Sequence, residues 1–194
     1  MLTYLAAALP SVSSPAARLL ALQCALRADS HGRVSLPTGL LRGMRLHRRG
    51  EVWRELACDG WLEPLRSPTA CTWVRLLDPA VLDQAPGRGA RRRAAHWALR
   101  PSSPAPPVGT GDGERLCALV LAVHTGAASS KAEMAVVAHL CGHSLHQTAD
   151  LLDRLVALRL LSYWQHQRET DEVIWEWAVE LPAAGRRDAS MPKR

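Results

Sequence analysis

Basic side chains that can bind phosphate crowd one short stretch in the first half of the chain. Arg45, His47, Arg48, Arg49 and Arg54 lie close together in sequence. A guanidinium group carries a planar fork of N–H donors, which matches the oxygens of a phosphate and the edge of a guanine base. The pattern therefore indicates a site for a polyanion. The alternative is a solvated basic surface without a partner.

Further basic residues extend this chemistry along the same half of the chain. The run Arg91-Arg92-Arg93 suits a phosphate track or a minor groove. Residues 1–100 hold 15 basic and 7 acidic side chains, whereas residues 101–194 hold 9 and 11. The first half is therefore the part expected to meet a polyanion. Arginine makes up 22 of the 24 basic residues, which indicates a GC-rich genome rather than a functional preference.

A second cluster of residues is a candidate for metal binding or catalysis. His139, Cys141, His143 and His146 are residue types that bind zinc. Their spacing straddles a predicted helix end, however, and no second ligand pair with ordinary motif spacing stands elsewhere. Nothing resembles an oxyanion site, and the glycine-rich 109–113 lacks the form of a phosphate loop. We therefore predict no metal, no cofactor and no enzymatic activity.

The cysteines and the apolar runs bear on the compartment. The five cysteines are scattered and never in CxxC spacing, which is typical of reduced thiols in the cytosol. No apolar run approaches the roughly 20 residues of a membrane span. The apolar Leu2–Leu9 is short and follows no basic residue, so we expect a helix packed on the body or on a second subunit. The sequence thus predicts a cytoplasmic protein that does not meet a membrane.

In residues 1–100 the hydrophobic pattern predicts three helices and a hairpin. The third helix holds Gly50, which weakens a helix interior by about 1 kcal/mol, so it starts either at His47 or after Gly50. The segment Arg91–Arg100 is expected to be a strand or a short helix. The other predicted elements are helices from Ser13 or Ser14 to Arg27, from Pro37 to Met44 and up to Cys58, a strand at Arg33–Leu36, hairpin strands at Trp61–Arg66 and Cys71–Leu77, and a helical turn at Asp78–Gln84.

A second unit follows a proline- and glycine-rich linker at 101–113, and it repeats the first. Arg18–Leu26 matches Arg115–Val123 at an offset of 97 residues. The sequence of Trp97–Pro101 is similar to that of Trp177–Pro182. This similarity indicates that Arg91–Arg100 is the closing strand of the first hairpin. The second unit's predicted elements are helices at Glu114–His124, Lys131–Leu140 and Ser144–Leu158, strands at Leu160–Gln167 and Val173–Leu181, and a disordered tail at 183–194.

Each unit resembles the winged helix-turn-helix family of DNA-binding domains. The residues that carry the resemblance are Leu36–Leu62 and Lys131–Leu161, each with its hairpin. It implies an α+β, mainly helical fold of two tandem winged-helix domains, 1–100 and 114–182, each with three helices and a β-hairpin wing. In that family the third helix enters the major groove and the wing touches the backbone or the minor groove.

The resemblance also implies which residues contact DNA. The second unit offers less of this chemistry, because Asp150 and Asp153 would repel phosphate. It could read bases, or serve as a protein-binding or dimerisation module. The expected contacts are Arg45, His47, Arg48, Arg49, Arg54, Arg66, Arg75, Arg91, Arg92, Arg93, Ser144, His146, Gln147 and Arg168.

The sequence therefore predicts a sequence-specific double-stranded DNA-binding protein, most simply a transcriptional regulator on the nucleoid, with a homodimer possible and any effector unknown. One alternative is a plasmid-type replication or partition factor. Another is a winged-helix scaffold of a chromosome-organising complex, which mainly binds protein. A DNA binder should keep Arg45–Arg54 exposed and continuous with Arg91–Arg93. A scaffold should instead expose an apolar groove, for example around Trp175 and Trp177.

Overall fold

The structure is a computed structural model, and it describes residues 1–65, 71–84, 87–100, 107, 109–126 and 130–178. This part of the chain is α+β, about half of it helical, with nine helices and two three-stranded antiparallel sheets. The helices are α1 (Leu2–Ala8), α2 (Pro15–Arg27), α3 (Thr38–Gly43), α4 (Gly50–Cys58), α5 (Ala80–Asp83), α6 (Arg88–Trp97), α7 (Asp112–Val123), α8 (Met134–Cys141) and α9 (Leu145–Ala157). The strands are β1 (Arg33–Pro37), β2 (Leu62–Leu65), β3 (Cys71–Leu76), β4 (Lys131–Glu133), β5 (Leu161–Gln167) and β6 (Glu172–Trp177).

The chain repeats one arrangement, once in residues 15–76 and once in residues 112–177. Residues 1–100 are called the first unit and residues 107–177 the second unit. In each unit this arrangement runs helix, strand, helix, helix, strand, strand, and its third helix is α4 in the first unit and α9 in the second. The strand order is β1-β3-β2 in the first sheet and β4-β6-β5 in the second, so the first strand of each unit pairs with the last. The first helices, α2 and α7, align at the 97-residue offset of the sequence repeat.

Local signals explain where the first helix of the first unit begins. Ser14 caps α2 by accepting a hydrogen bond from the Ala17 N–H, and Pro15 occupies the first helical position, where its missing N–H costs nothing. The Glu55 carboxylate on α4 accepts hydrogen bonds from the Ser14 N–H and hydroxyl at 2.5 and 2.7 Å. These two bonds tie the third helix of the unit to the start of its first.

The two units share one hydrophobic core. Residues 16–26 of α2 are all buried, because α1, α4, α6 and α7 pack around this helix. Residues 116–121 of α7 are buried in the same way. A helix that is apolar on every side needs such surroundings. The terminal helix α1 packs on both α2 and α8, and its Tyr4 hydroxyl donates to Asp78 Oδ2 at 2.5 Å.

Residues 91–97, expected to be in a strand, lie in the helix α6, and this prediction is wrong. The third strand of the first sheet is β1, which comes before the hairpin in sequence. Ala94, Ala95 and Ala98 recur at helical spacing and are buried or half-buried. The Gln23 side chain of α2 donates a hydrogen bond to the Ala95 carbonyl at 3.1 Å. Small side chains at this spacing let α6 lie close against α2.

Other boundaries also differ from those expected. The segment expected to form the helix Lys131–Leu140 begins with the strand β4, and the helix α8 starts at Met134. Lys131 forms an ion pair with Glu172 of the neighbouring β6 at 2.8 Å. The helix α7 starts at Asp112, inside the expected linker. The helix α4 starts at Gly50 itself, one residue before the later of its two expected starts. Within the described residues no helix has the length and apolar character of a membrane span.

Candidate nucleic-acid interface

The turn between α3 and α4 holds most of the first basic cluster. Its apolar residues Met44 and Leu46 are buried. Two of its arginines, Arg45 and Arg48, have φ angles of 60° and 69°. This left-handed conformation costs a side chain other than glycine about 1–2 kcal/mol. Such strain persists only when surrounding contacts impose it.

Two arginines of the turn make those contacts with the second unit. Arg45 Nη1 donates to the Thr110 carbonyl at 3.0 Å, and Arg49 Nη1 lies 2.5 Å from Asp112 Oδ2. Arg49 also donates to Glu51 at 2.9 Å. Hydrogen bonds to Glu51 and then to Asp112 raise the pKa of Arg49 above its ordinary value. Both predicted contact residues are therefore engaged within the molecule.

The second unit returns a contact to the same turn. Arg115, on α7, donates through Nη1 to the Met44 carbonyl at 2.7 Å and lies 3.4 Å from Asp112 Oδ1. Burial lowers the pKa of Arg115, which reflects the cost of taking its charge out of water. No local sequence pattern indicates this role, because the residue sits in an apolar helix on the other side of the expected linker.

The basic side chains that still face solvent at the third helix are fewer than predicted. Arg48 and Arg54 are exposed, and His47 is half-buried. In the described part of the chain none of these three side chains has a hydrogen bond or an ion pair. Glu51 shares the exposed side of α4 with Arg54, and its pKa is lowered by the hydrogen bond from Arg49 above all.

Beyond the third helix, the basic residues of the first unit divide between structural and open positions. Arg75 on β3 forms an ion pair with Glu63 on β2. Arg91 is half-buried and donates to the Ala28 carbonyl at the end of α2, at 3.0 Å. Arg92 and Arg93 are exposed, and their side chains have no hydrogen-bond or ion-pair partner among the described residues. Arg66 lies outside the described residues.

In the second unit, two of the predicted contact residues hold the start of α9. The Ser144 hydroxyl accepts a hydrogen bond from the Gln147 N–H, and the Gln147 side chain accepts one from the Ser144 N–H. His146 is highly exposed, with Nε2 at 3.9 Å from Asp150 Oδ2. Arg168 is exposed at the tip of the hairpin. The surface of α9 thus carries two acidic residues, Asp150 and Asp153, and one arginine, Arg154, beside its one histidine.

The tryptophans expected to line an apolar groove are buried (Trp175) and half-buried (Trp177). Trp175 is buried, and the indole N–H groups of Trp175 and Trp177 both donate to Thr125 Oγ1, at 3.3 and 3.0 Å. An apolar groove of about 280 Å³ lies elsewhere, between α1, α2, α6, α7 and α8. Its lining includes Leu2, Leu22, Trp97, Val123, Val136 and Leu140.

The histidine and cysteine cluster is divided by its surroundings. Cys141 is buried, His139 is exposed and His143 is half-buried. Among the described residues, no three His, Cys, Asp or Glu side chains are placed to hold a metal ion.

Compared with protein-family models, with curated proteins and with solved structures, the chain has no significant match in any of the three.

Proposed function

We propose that the chain is a double-stranded DNA-binding protein of the nucleoid, built from two winged-helix units and acting as a transcriptional regulator. The order helix, strand, helix, helix, hairpin in both units supports this proposal, since it is the order of a winged helix. The observation that carries it is the charge of the first unit together with the open arginines beside its third helix, Arg48 and Arg54.

The contacts of the turn revise the mechanism that the sequence suggests. Arg45 and Arg49 act as positioning residues, because their bonds to Thr110 and Asp112 fix the start of α4 against the second unit. Arg48 and Arg54 remain free to meet the nucleic acid. Each can hold a phosphate or bind the O6/N7 edge of guanine through two parallel hydrogen bonds.

Reciprocal contacts between the units support a paired mode of binding. Arg115 of α7 bonds the turn of the first unit, and Arg18 of α2 lies against Gly142 in the turn of the second. The two arginines are equivalent in the repeat. Dimeric regulators present two third helices related by a two-fold axis; here one chain carries both. Because α9 is acidic, the second half-site would contribute sequence preference rather than affinity.

The test is a salt titration of duplex DNA binding, followed by fluorescence anisotropy. We expect Arg48→Ala/Arg54→Ala to bind at least about tenfold more weakly and to reduce the salt slope by about 1 for each phosphate that is no longer neutralised. The matched control, Arg100→Ala/Arg159→Ala, removes the same charge at two exposed positions that are not among the expected contacts, and it should bind nearly as the wild type does. Absence of wild-type binding at low salt contradicts the proposal.

A protein-binding scaffold is the second candidate, and the apolar groove favours it. Trp97, Val123 and Val136 line that groove and are 40%, 51% and 37% exposed, which is unusual for large apolar side chains grouped in one place. This alternative predicts that Arg48→Ala/Arg54→Ala leaves the function in the cell intact, whereas Val136→Glu, inside the groove, abolishes it. The DNA-binding proposal predicts the reverse.

A further inference from the structure

A basic cavity lies on the first unit, apart from the third helix. It has a volume of about 700 Å³ and is formed by the end of α2, the following turn, the edge strand β1 and one side of α6. Small-molecule sites are concave and usually have volumes in this range. Its charged and polar lining consists of Arg27, Asp29, Ser30, Ser35, Arg88, Arg91, Arg92 and His96.

The arginines of the cavity have N–H donors to spare. Arg91 uses Nη1 to bind the Ala28 carbonyl, and Arg27 uses Nε to bind the Gln23 side chain at 3.0 Å. The Arg88 and Arg92 side chains make no hydrogen bond or ion pair with the described residues. Four guanidinium groups from two sides of one cavity, α2 and α6, repel one another unless an anion lies between them.

Asp29, the one carboxylate among the described residues of the lining, does not satisfy these arginines. Asp29 accepts hydrogen bonds from the backbone N–H groups of His31 and Arg33, at 2.8 and 2.9 Å, and forms an ion pair with the Arg33 side chain at 3.0 Å. Burial raises the pKa of Asp29, but these bonds outweigh it and hold the pKa below its ordinary value. The carboxylate is therefore committed to the turn after α2.

We propose that this cavity binds a small ligand with two or more linked phosphate groups, in the manner of pyrophosphate or a nucleoside polyphosphate. Two linked phosphates can bind guanidinium groups that line the cavity from both α2 and α6. Leu26, Ala28 and Ala95 add an apolar part to the lining, on which a base or other apolar group of the ligand can rest. The proposal does not depend on DNA binding.

The shape of the site distinguishes such a ligand from a DNA backbone. A duplex is bound by elements that project into its grooves or follow its phosphates along an extended surface. This cavity is instead a concave pocket, open to solvent, between elements packed on α2. Because α2 is the most buried helix of the shared core, a ligand bound at its end should stabilise the whole chain.

The experiment is isothermal titration calorimetry of the full chain with inorganic pyrophosphate at fixed ionic strength, alongside thermal melting. We expect Arg88→Ala/Arg92→Ala to weaken binding about tenfold or more, because it removes hydrogen bonds between charged groups. The control Arg93→Ala/Arg100→Ala removes the same charge from residues that do not line the cavity, and it should bind within about twofold of the wild type. A further variant, Ser35→Glu, leaves every arginine in place but puts a carboxylate into the cavity, and it should also lose binding.

Three results would overturn the proposal. One is no binding to the wild type at about 10 mM pyrophosphate. Another is an equal loss in both double variants, which indicates unspecific attraction to a basic surface. The third is full displacement of pyrophosphate by duplex DNA, with both ligands lost together in Arg88→Ala/Arg92→Ala, which assigns the cavity to the DNA surface. If pyrophosphate binds as expected and DNA does not bind at all, only the proposed function fails.

Discussion

The turns that precede the third helix of each unit occupy the same place in the fold but are stabilised by different means. In the second unit the turn is short: Gly142 takes the left-handed conformation at φ 70°, and Ser144 caps α9 in a reciprocal pair with Gln147. In the first unit the turn is longer. Two arginines, Arg45 and Arg48, adopt the conformation that suits glycine, and no side chain caps α4.

The difference shows which unit depends on the other. The turn of the second unit takes its hydrogen bonds from its own residues, and the first unit only packs against it through Arg18. The turn of the first unit is held by Thr110, Asp112 and Arg115, all of which lie at or near the start of α7. The order of the third helix of the first unit, which we propose to meet DNA, is therefore coupled to the presence of the second unit.

The arginines that link the units show how equivalent positions have diverged. Arg115 donates to a backbone carbonyl of the opposite turn. Arg18 instead donates to the Pro10 and Ser13 carbonyls of its own unit, and its Nη1 is buried with no hydrogen-bond partner among the described residues. Its guanidinium fills the space beside Gly142. Arg115 therefore links the units through a hydrogen bond, whereas Arg18 links them through packing.

Substitution of the glycine in the second turn should have the largest effect. Gly142→Ala must adopt a left-handed φ, and a methyl group there would lie 2.5 Å from Arg18 Nε. We expect a loss of about 2–4 kcal/mol in the free energy of unfolding, from the backbone strain and the overpacking together. Urea unfolding monitored by circular dichroism measures it.

The control for this variant is Gly43→Ala at the end of α3, where nothing lies within 4 Å of the added carbon. It should be neutral or slightly stabilising, because alanine favours a helix over glycine. Equal losses in the two variants would show that Arg18 does not constrain the second turn.

Loss of the Arg115 hydrogen bond to the first turn should have the second-largest effect on stability. Arg115→Met keeps much of the side-chain volume but leaves the Met44 carbonyl without its donor and Asp112 with Arg49 alone. We expect a loss of about 2 kcal/mol and faster hydrogen exchange in the turn between α3 and α4. Arg33→Met is the control, since Arg33 forms an exposed ion pair with Asp29 at 3.0 Å, and its loss should cost under about 1 kcal/mol. Unchanged exchange in Arg115→Met would show that the first turn is stable without the second unit.

The same contrast explains what could be predicted from the sequence. The second turn is predictable, because Gly142, Ser144 and the apolar spacing after them are local signals. The start of α4 at Gly50 is not predictable in this way, because a glycine at this position is compatible with both of the expected helix starts. The prediction for α6 is wrong because it relies on the similarity of Trp97–Pro101 to Trp177–Pro182. The helical spacing of the alanines in this segment is the signal that fits the structure.

The site is harder to predict than the fold. Arg45, Arg48 and Arg49 look alike in sequence, yet two of them bind the second unit and one faces solvent. The choice depends on contacts with Thr110 and Asp112, more than sixty residues away, which no local pattern encodes. Arg88 and Arg27, which line the basic cavity, are missed for the same reason.

Removal of the cap on the second turn should have a moderate effect. Ser144→Ala removes the acceptor for the Gln147 N–H and should cost about 1 kcal/mol of unfolding free energy. Ser11→Ala, at an exposed position before α2, serves as the control and should be neutral. The first unit has no equivalent substitution, because Arg49 at the matching position makes no cap. A neutral Ser144→Ala would mean that packing of α9, rather than its cap, fixes the second turn.

The smallest effect should be a pH dependence that belongs to the second turn. Burial, and then the nearby charges of Arg18 and Arg154, lower the pKa of His143 below its ordinary value of about 6.5. The unfolded chain therefore takes up this proton more readily than the folded one, so the contribution of neutral His143 is complete above about pH 6.5 and is lost as the pH falls through the lower folded value. Urea unfolding between about pH 7.5 and 5.5 at fixed ionic strength should show this decline in the wild type, and His143→Gln should flatten it. His146→Gln, at a highly exposed position nearby, should keep the wild-type slope. If His143→Gln keeps that slope as well, the charge of Arg18 does not affect His143, and Arg18 contributes to the second turn through packing alone.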